Sequence, residues 1–301
     1  MAYDWEDTFR LWSQPPSSTE DAKCGNAERM IRDAIDKDPV LSQHNIKVFA
    51  TGSYKNNTNV RNDSDVDICV ECFDTFFYDL PSDGSLTASE VGIIAASYPY
   101  DQYKNGVQNA LINKFGKNAV ARGNKTFDIH ENTYRVDADV TPAFEHRRYY
   151  RGSNSSINYS SGIELRPDNG GRVKNWPDQH YSNGVQKNNQ TLHRYKYNVR
   201  ILKRLRNELE KAKILTTNLI PSFLIECLVW NVPNENFGHT YLQSDVRAVL
   251  AFLFNETRSD EQCSEWGEVS ELKYLFRSSQ PWTREQAHMF CDKSWDYLGF
   301  E

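Results

Sequence analysis

The chain has 301 residues, with 35 Lys and Arg against 41 Asp and Glu, for a formal net charge of −6. An acidic total excludes a sequence-blind nucleic-acid coat, because such binding is driven by phosphate neutralisation, though it leaves room for a local basic groove. A hydrophobic fraction of 39% and an aromatic fraction of 13% exclude a disordered chain, and the length suffices for two ordinary domains or one large one.

No run of about 18 apolar residues occurs, so no membrane span is expected. The start, Met1-Ala2-Tyr3-Asp4-Trp5-Glu6-Asp7, is acidic and lacks the basic and apolar regions of a secretory signal. The expected compartment is the cytoplasm. There the six cysteines serve as small buried hydrophobes rather than disulfide partners.

Trp5, Phe9 and Trp12 have helical spacing, closed by Pro15-Pro16. Ser17-Ser18-Thr19 offers an N-cap, with Glu20 and Asp21 in the first turn of a second helix whose stripe is Ala27, Met30, Ile31, Ala34 and Ile35. The alternation around Ile46, Val48 and Ala50 predicts a strand leading to Gly52-Ser53. After a polar stretch, Val66 to Cys72 predicts a second strand with Val66, Ile68 and Val70 on one face. Tyr103 to Phe115 suggests a helix. Lys125–His130 and Thr133–Val140 flank Glu131-Asn132 as a hairpin. Residues 145–190, rich in Arg, Asn, Ser, Gly and Tyr, are expected to form a long irregular connector.

From Thr191 the pattern is helical. Leu192, Tyr195, Val199, Leu202, Leu205 and Leu209 form one stripe, and further helices are expected at Phe223–Asn231, Asp245–Phe254 and Arg284–Tyr297. The expected fold class is α+β: a mixed sheet with helices over residues 1–144, then a connector and helical lobe over 145–301.

Three features carry chemistry together: Gly52-Ser53 at a strand end, Asp65-x-Asp67 opening the next strand, and Asp139 late in a third. Strand residues two apart share a face, so Asp65 and Asp67 point together, with Cys69 and Glu71 continuing that face. Like charges so close oppose each other, and a divalent cation with hard oxygen ligands removes the conflict. A third carboxylate would permit two ions, one at an attacking hydroxyl and one at a leaving pyrophosphate. Gly52 permits close backbone approach, and the Ser53 hydroxyl can donate to phosphate, with Lys55 and the amides of Asn56, Asn57 and Asn59 as further donors. Asp137 shares the face of Asp139 and stays an alternative. Cys69-x-x-Cys72 is not a zinc site: strand residues three apart face opposite ways, and no second Cys or His pair stands at finger spacing.

The segment from Thr51-Gly52-Ser53 to Asp65-Val66-Asp67 resembles the signature of polymerase-β-like nucleotidyltransferases. More narrowly, the chain resembles the bacterial CD-NTases, relatives of cyclic GMP-AMP synthase and oligoadenylate synthase, in clade E, the CdnE group. Trp12-Ser13, Asp139-Val140, Asn175-Trp176-Pro177, His180-Tyr181-x-Asn183-Gly184, Gln190-Thr191, Ser222 to Leu228 and Asn231-Val232-Pro233 carry that likeness. The resemblance implies a polymerase-β-like core with a C-terminal helical lobe, and nucleotides in the cleft between the lobes. It implies synthesis of a cyclic dinucleotide second messenger from NTPs (UTP and ATP) with two Mg²⁺ ions, Mn²⁺ being the alternative. The product would be read by a downstream effector of an anti-phage (CBASS) system, with no membrane and no long nucleic acid required. Matched residue by residue, Asp65, Asp67 and Asp139 are the metal-holding and catalytic carboxylates, and Gly52 and Ser53 the triphosphate turn. Lys203 matches a triphosphate-contacting lysine and Ser222 its partner serine. Asn175 matches a position associated with uracil preference, and a side-chain amide that both donates and accepts suits that task.

From Lys187 to Lys213 nine Lys or Arg stand against two Glu, and Lys196, Arg200 and Lys203 form a basic stripe whose plain reading, Lys203 excepted, is a solvated face. Two other functions stay open: a template-independent RNA or small-molecule nucleotidyltransferase, and a non-enzymatic nucleotide-binding module.

Overall fold

The computed structural model of the chain describes residues 4–61, 65–132 and 134–300. Asn62, Asp63 and Ser64 of the motif, and Thr133 of the expected hairpin, lie outside the described residues. In chain order the elements are α1 (Glu6–Trp12), α2 (Ser18–Asp36), β1 (Ile46–Ala50), α3 (Gly52–Lys55), β2 (Val66–Asp79), α4 (Tyr100–Phe115), β3 (Val120–Arg122), β4 (Phe127–Ile129) and β5 (Ala138–Arg151). There follow β6 (Ile157–Leu165), β7 (Val173–Asn175), α5 (Pro177–Gln190), α6 (Arg194–Lys211), α7 (Ser222–Asn231), α8 (Leu242–Glu256), α9 (Asp260–Cys263) and α10 (Arg284–Leu298).

The chain divides into two compact units. The first comprises Ser17–Tyr54 and Asp65–Pro177. Among its described residues seven strands form one mixed sheet in the order β1-β2-β5-β4-β3, with β6 on the far part of β5 and β7 on β6. β2 and β5 run parallel, while β1 pairs β2 and β4 pairs β5 antiparallel. α2 opens as its sequence predicts. Ser17 accepts from the Glu20 N–H and the Glu20 carboxylate accepts from the Ser17 N–H, a reciprocal cap. Ala27, Ile31 and Ile35 of α2 and Tyr103, Val107 and Leu111 of α4 bury one sheet face with Val66, Ile68, Val70, Phe127, Ile129, Ala138 and Val140. Alternation sends the residues between them to the other face, and there Cys69 packs with Ala143 and Ile163.

The expected irregular connector is corrected. Residues 145–190 contain the end of β5, all of β6 and β7, and helix α5. The domain boundary expected between residues 144 and 145 falls inside β5. Hydropathy hid these strands because their buried positions include paired charges. His146 Nδ1 lies 2.9 Å from Glu164 Oε2, and Arg172 donates twice to the same carboxylate at 2.8 Å. Asp79 takes Lys174 at 2.5 Å and Arg172 at 3.1 Å. Burial alone would raise the Glu164 carboxyl, but the hydrogen bonds from His146 and Arg172 outweigh it and hold it below its ordinary value.

The second unit comprises Met1–Pro16, Lys55–Ser64 and Asp178–Glu301. Its helices α1, α6, α7, α8 and α10 share a core containing Phe9, Tyr195, Val199, Leu202, Leu205, Leu224, Leu228, Val246, Leu250 and Phe290. The α6 stripe is as predicted except at its start: Leu192 is exposed, with φ +52°, and the helix begins at Arg194. Among the described residues no helix is long and apolar enough to cross a membrane.

Candidate active site

In the first unit the register sets the acidic residues side by side. Asp67 of β2 is the direct partner of Asp139 on β5, and Asp139 is in turn the partner of Asp128 on β4. Asp65 stands immediately before β2. Asp67, Asp139 and Asp128 are on the sheet face away from the helices, because Val66, Ile68, Val140, Phe127 and Ile129 occupy the helix-covered side. The Asp139 carboxyl is pushed up to about 7, first by burial and then by the charges of Asp67 and Asp128, a hydrogen bond with Asp128 and the charge of Asp65. Asp137 lies before β5 and is turned elsewhere: its carboxylate accepts the Glu131 N–H, and its carbonyl accepts the Val66 N–H. Geometry thus favours Asp139 over Asp137.

Gly52 follows β1 directly, where the Thr51 N–H donates to the Asp67 carbonyl at 2.8 Å. Its φ is +61°, the left-handed region that favours glycine. A Cβ here would stand 2.8 Å from Asp67 Cγ and closer still to Oδ2. Glycine is needed twice over, for the turn and for the carboxylate beside it. Ser53 is half-buried within the same short turn, α3.

Asn175 is half-buried at the end of β7. It pairs with Ile163, which pairs with Glu145. Glu145 is six positions beyond Asp139 on β5, which at the rise of a strand is roughly 20 Å along the sheet. The structure therefore does not gather Asn175 with the carboxylates. The next residue, Trp176, is buried beneath the Arg148 guanidinium, whose centre is 4.2 Å from its ring.

In the second unit the basic stripe faces inward, which corrects the solvated reading. Arg200 and Lys203 are both 2% exposed. Arg200 donates to the carbonyls of Ser13 and Asn57, and Lys203 donates to the Thr58 carbonyl at 3.1 Å and to Glu226 at 3.2 Å. Ser222 accepts from Arg206 at 3.0 Å, so the hydroxyl and the Lys203 ammonium have different partners. Asn56 and Asn59, expected as phosphate donors, are buried, and Lys55 lies over the Tyr181 ring.

Sequence reasoning missed Asp128 and Glu226. Asp128 sits between Phe127 and Ile129 in a strand, and that alternation was its signal. Glu226 is a single charge inside Leu224-Ile225-Glu226-Cys227-Leu228, and such a position demands a buried partner.

Among the described residues no three His, Cys, Asp or Glu side chains stand as a formed metal cage. The donor set still fits a hard divalent cation: it consists of carboxylate oxygens on adjacent strands, and the repulsion that raises Asp139 is relieved by positive charge.

Comparison with known proteins shows the family and the fold. Residues 29–115 match the family described as nucleotidyltransferase domain, and residues 182–299 the cGAS/DncV-like nucleotidyltransferase C-terminal helical domain. The chain is 47% identical over 302 residues to a cyclic dipyrimidine nucleotide synthase CdnE of Legionella pneumophila, covering 99% of each chain. It is 42% identical over 302 residues to the synthase of the same name from Cecembia lonarensis, covering 100% of each. Among solved structures it resembles the Rhodothermus marinus CdnE c-UMP-AMP synthase with Apcpp and Upnpp, at a TM-score of 0.84 and 29% identity, covering 98% of this chain and 97% of that one. Nucleotidyltransferases of this fold typically use divalent metals.

Proposed function

The chain belongs to the cGAS/DncV-like nucleotidyltransferases, in their CdnE group, and from that membership we propose that it condenses two nucleoside triphosphates into a cyclic dinucleotide containing a pyrimidine. It is a nucleotidyltransferase. The observation that carries the reading is the pairing of Asp67 with Asp139 on parallel strands, with Gly52 closed against Asp67.

Asp65, Asp67 and Asp139 are the residues that would hold divalent ions, for which Mg²⁺ is proposed and Mn²⁺ is the alternative. When bound, such ions supply Lewis-acid activation of a ribose hydroxyl and neutralise charge on the triphosphate. The Gly52-Ser53 turn is proposed to bind the triphosphate, because a glycine there lets phosphate oxygens approach the backbone and the serine hydroxyl can donate. The ribose hydroxyl gives up its proton to solvent as its oxygen attacks the α-phosphorus, the bond from that phosphorus to the bridging oxygen of the β-phosphate breaks, and pyrophosphate leaves. A second attack of the same kind closes the ring.

The names of the Legionella and Cecembia relatives support a pyrimidine-containing product and that of the Rhodothermus synthase a uridine in it; cyclic UMP-AMP from UTP and ATP, or cyclic di-UMP from UTP alone, is the proposed product. Asn175 is proposed to bind the base, since its amide can donate to one pyrimidine edge atom and accept from another. Lys203 and Ser222 are kept as proposed nucleotide-binding residues, for which the family match is the support. The proposed setting is the cytoplasm, with a downstream effector reading the product.

Incubation with Mg²⁺ and all four NTPs, followed by phosphatase treatment and mass spectrometry, tests the reading. A phosphatase-resistant cyclic dinucleotide containing uridine is expected. A ladder of lengths, or a need for an acceptor, would favour the RNA or small-molecule alternative. Activity that survives Asp65→Ala with Asp67→Ala would remove the carboxylate mechanism.

A further inference from the structure

Glu226 is 3% exposed, in the middle of α7. A buried carboxylate is costly unless each oxygen is paired. Here Oε1 takes His180 Nε2 of α5 at 2.8 Å, and Oε2 takes Lys203 Nζ of α6 at 3.2 Å. Those two partners already satisfy both oxygens and tie three helices together. The closest donor, however, is neither of them. The Thr58 hydroxyl, itself fully buried, donates to Oε2 at 2.7 Å.

Thr58 belongs to no helix or strand. It lies in residues 56–61, directly after the turn α3 that contains Gly52 and Ser53. Residues 56–61 belong to no helix or strand that would fix their backbone, and Asn57 holds a φ of +52° without being glycine. Its carbonyls are instead taken by one face of α6. Arg200 donates to Asn57, Lys203 to Thr58 and Arg204 to Arg61, a set spaced by three and four along the helix. Glu226 thus anchors both the Thr58 hydroxyl and the lysine that grips the Thr58 carbonyl.

We propose that Glu226 is a positioning residue for nucleotidyl transfer: through Thr58 it fixes residues 56–61, the stretch of chain that directly follows the Gly52-Ser53 turn. This rests on the function proposed above. It gives the buried basic side chains of α6 a task that composition alone does not suggest. The network clamps backbone, and a chain held just beyond a turn transmits less slack to that turn. Displacements near 1 Å at reacting groups cost about 100-fold in rate even when the altered residue is remote.

The decisive change is Thr58→Val, which keeps the shape, removes the hydroxyl and leaves Glu226 paired with Lys203 and His180. Thr58→Ser restores the donor. For the full chain, kcat/KM for pyrophosphate release from NTPs and amide hydrogen exchange are measured together. Thr58→Val is expected to lose roughly 10- to 100-fold in kcat/KM, with faster exchange confined to residues 55–61, and Thr58→Ser to stay within about threefold of the parent. The proposal is overturned if Thr58→Val stays within about twofold of the parent, if exchange rises throughout the helices as well, or if Thr58→Ser is as impaired as Thr58→Val. A parent chain that releases no pyrophosphate from any NTP would sink the proposed function instead, and the exchange pattern would then decide alone whether Glu226 holds the segment.

Discussion

Replacing Gly52 by alanine separates the two demands made on that glycine. The first is conformational: at φ +61° an L-residue loses roughly 1–2 kcal/mol. The second is steric: the new Cβ would stand 2.8 Å from Asp67 Cγ. Ordinary carbon contact is near 3.5 Å and Oδ2 would be closer still, so the carboxylate must retreat by at least about 0.7 Å or the turn must open. Such a shift in a reacting group costs about 10- to 100-fold in kcat/KM. The stability loss stays at a few kcal/mol, equivalent to a melting temperature lower by roughly 4–8 °C at about 2 kcal/mol. Gly299 provides the control. It has φ +65° and nothing within 4 Å of its would-be Cβ, so Gly299→Ala meets the backbone cost alone. Initial rates of pyrophosphate release and thermal melts of the two variants give the comparison. Gly52→Ala should lose activity beyond its loss of stability, and Gly299→Ala should lose stability only. A Gly52→Ala enzyme within about threefold of the parent in kcat/KM would refute the claim that the turn and Asp67 share one site.

Asp67→Asn and Asp139→Asn should each lower product formation by about 1000-fold or more, without lowering the melting temperature, because each also removes a like-charge repulsion. Near-parental rates would exclude the carboxylate assignment. Gly162→Ala should destabilise the first unit by roughly 1–3 kcal/mol, since its Cβ would meet the Asn175 carbonyl at 2.5 Å and Trp176 Cδ1 at 2.7 Å, and an unchanged melting temperature would contradict this packing. Burial pushes the Lys187 ammonium down from 10.5 to about 8, and the folded chain therefore binds fewer protons than the unfolded chain between those values. Its contribution to stability must rise with pH across that window. The melting temperature of the parent minus that of Lys187→Met should grow from pH 8 toward pH 10; a flat or falling difference would show that the ammonium is not desolvated.

The parts of the fold that could be read from sequence were those where burial and hydropathy coincide. β1, the start of β2, α2 and the apolar face of α6 have aliphatic residues at the right period, and those residues are buried. Reading failed where charge is buried with charge. On β5 and β6, His146 and Glu164 are inaccessible, so a segment dense in Arg, Asn and Ser looked like solvent-facing loop while forming two strands of the sheet. The same error reversed the basic stripe of α6. Helical spacing correctly put Arg200 and Lys203 on one face. It could not tell water from backbone carbonyls as the partner of that face, because the carbonyls belong to a distant part of the chain.

The acidic cluster shows the limit of a different tool. Alternation in a strand gives parity only: it puts Asp65 with Asp67 and Asp137 with Asp139, without choosing between the last two. The choice requires register. Once β2 and β5 pair in parallel with Asp67 opposite Asp139, Asp137 falls before the paired strand and its carboxylate is taken by a backbone N–H of the preceding loop. Register also brings in Asp128, which parity could place on the correct face of β4 but not opposite any particular residue. Asp67 and Asp128 on the neighbouring strands raise the cost of ionising Asp139, and sheet packing alone gives no reason to collect the three. A bound cation would give that reason, and the cluster, more than any single motif within it, supports the proposed function.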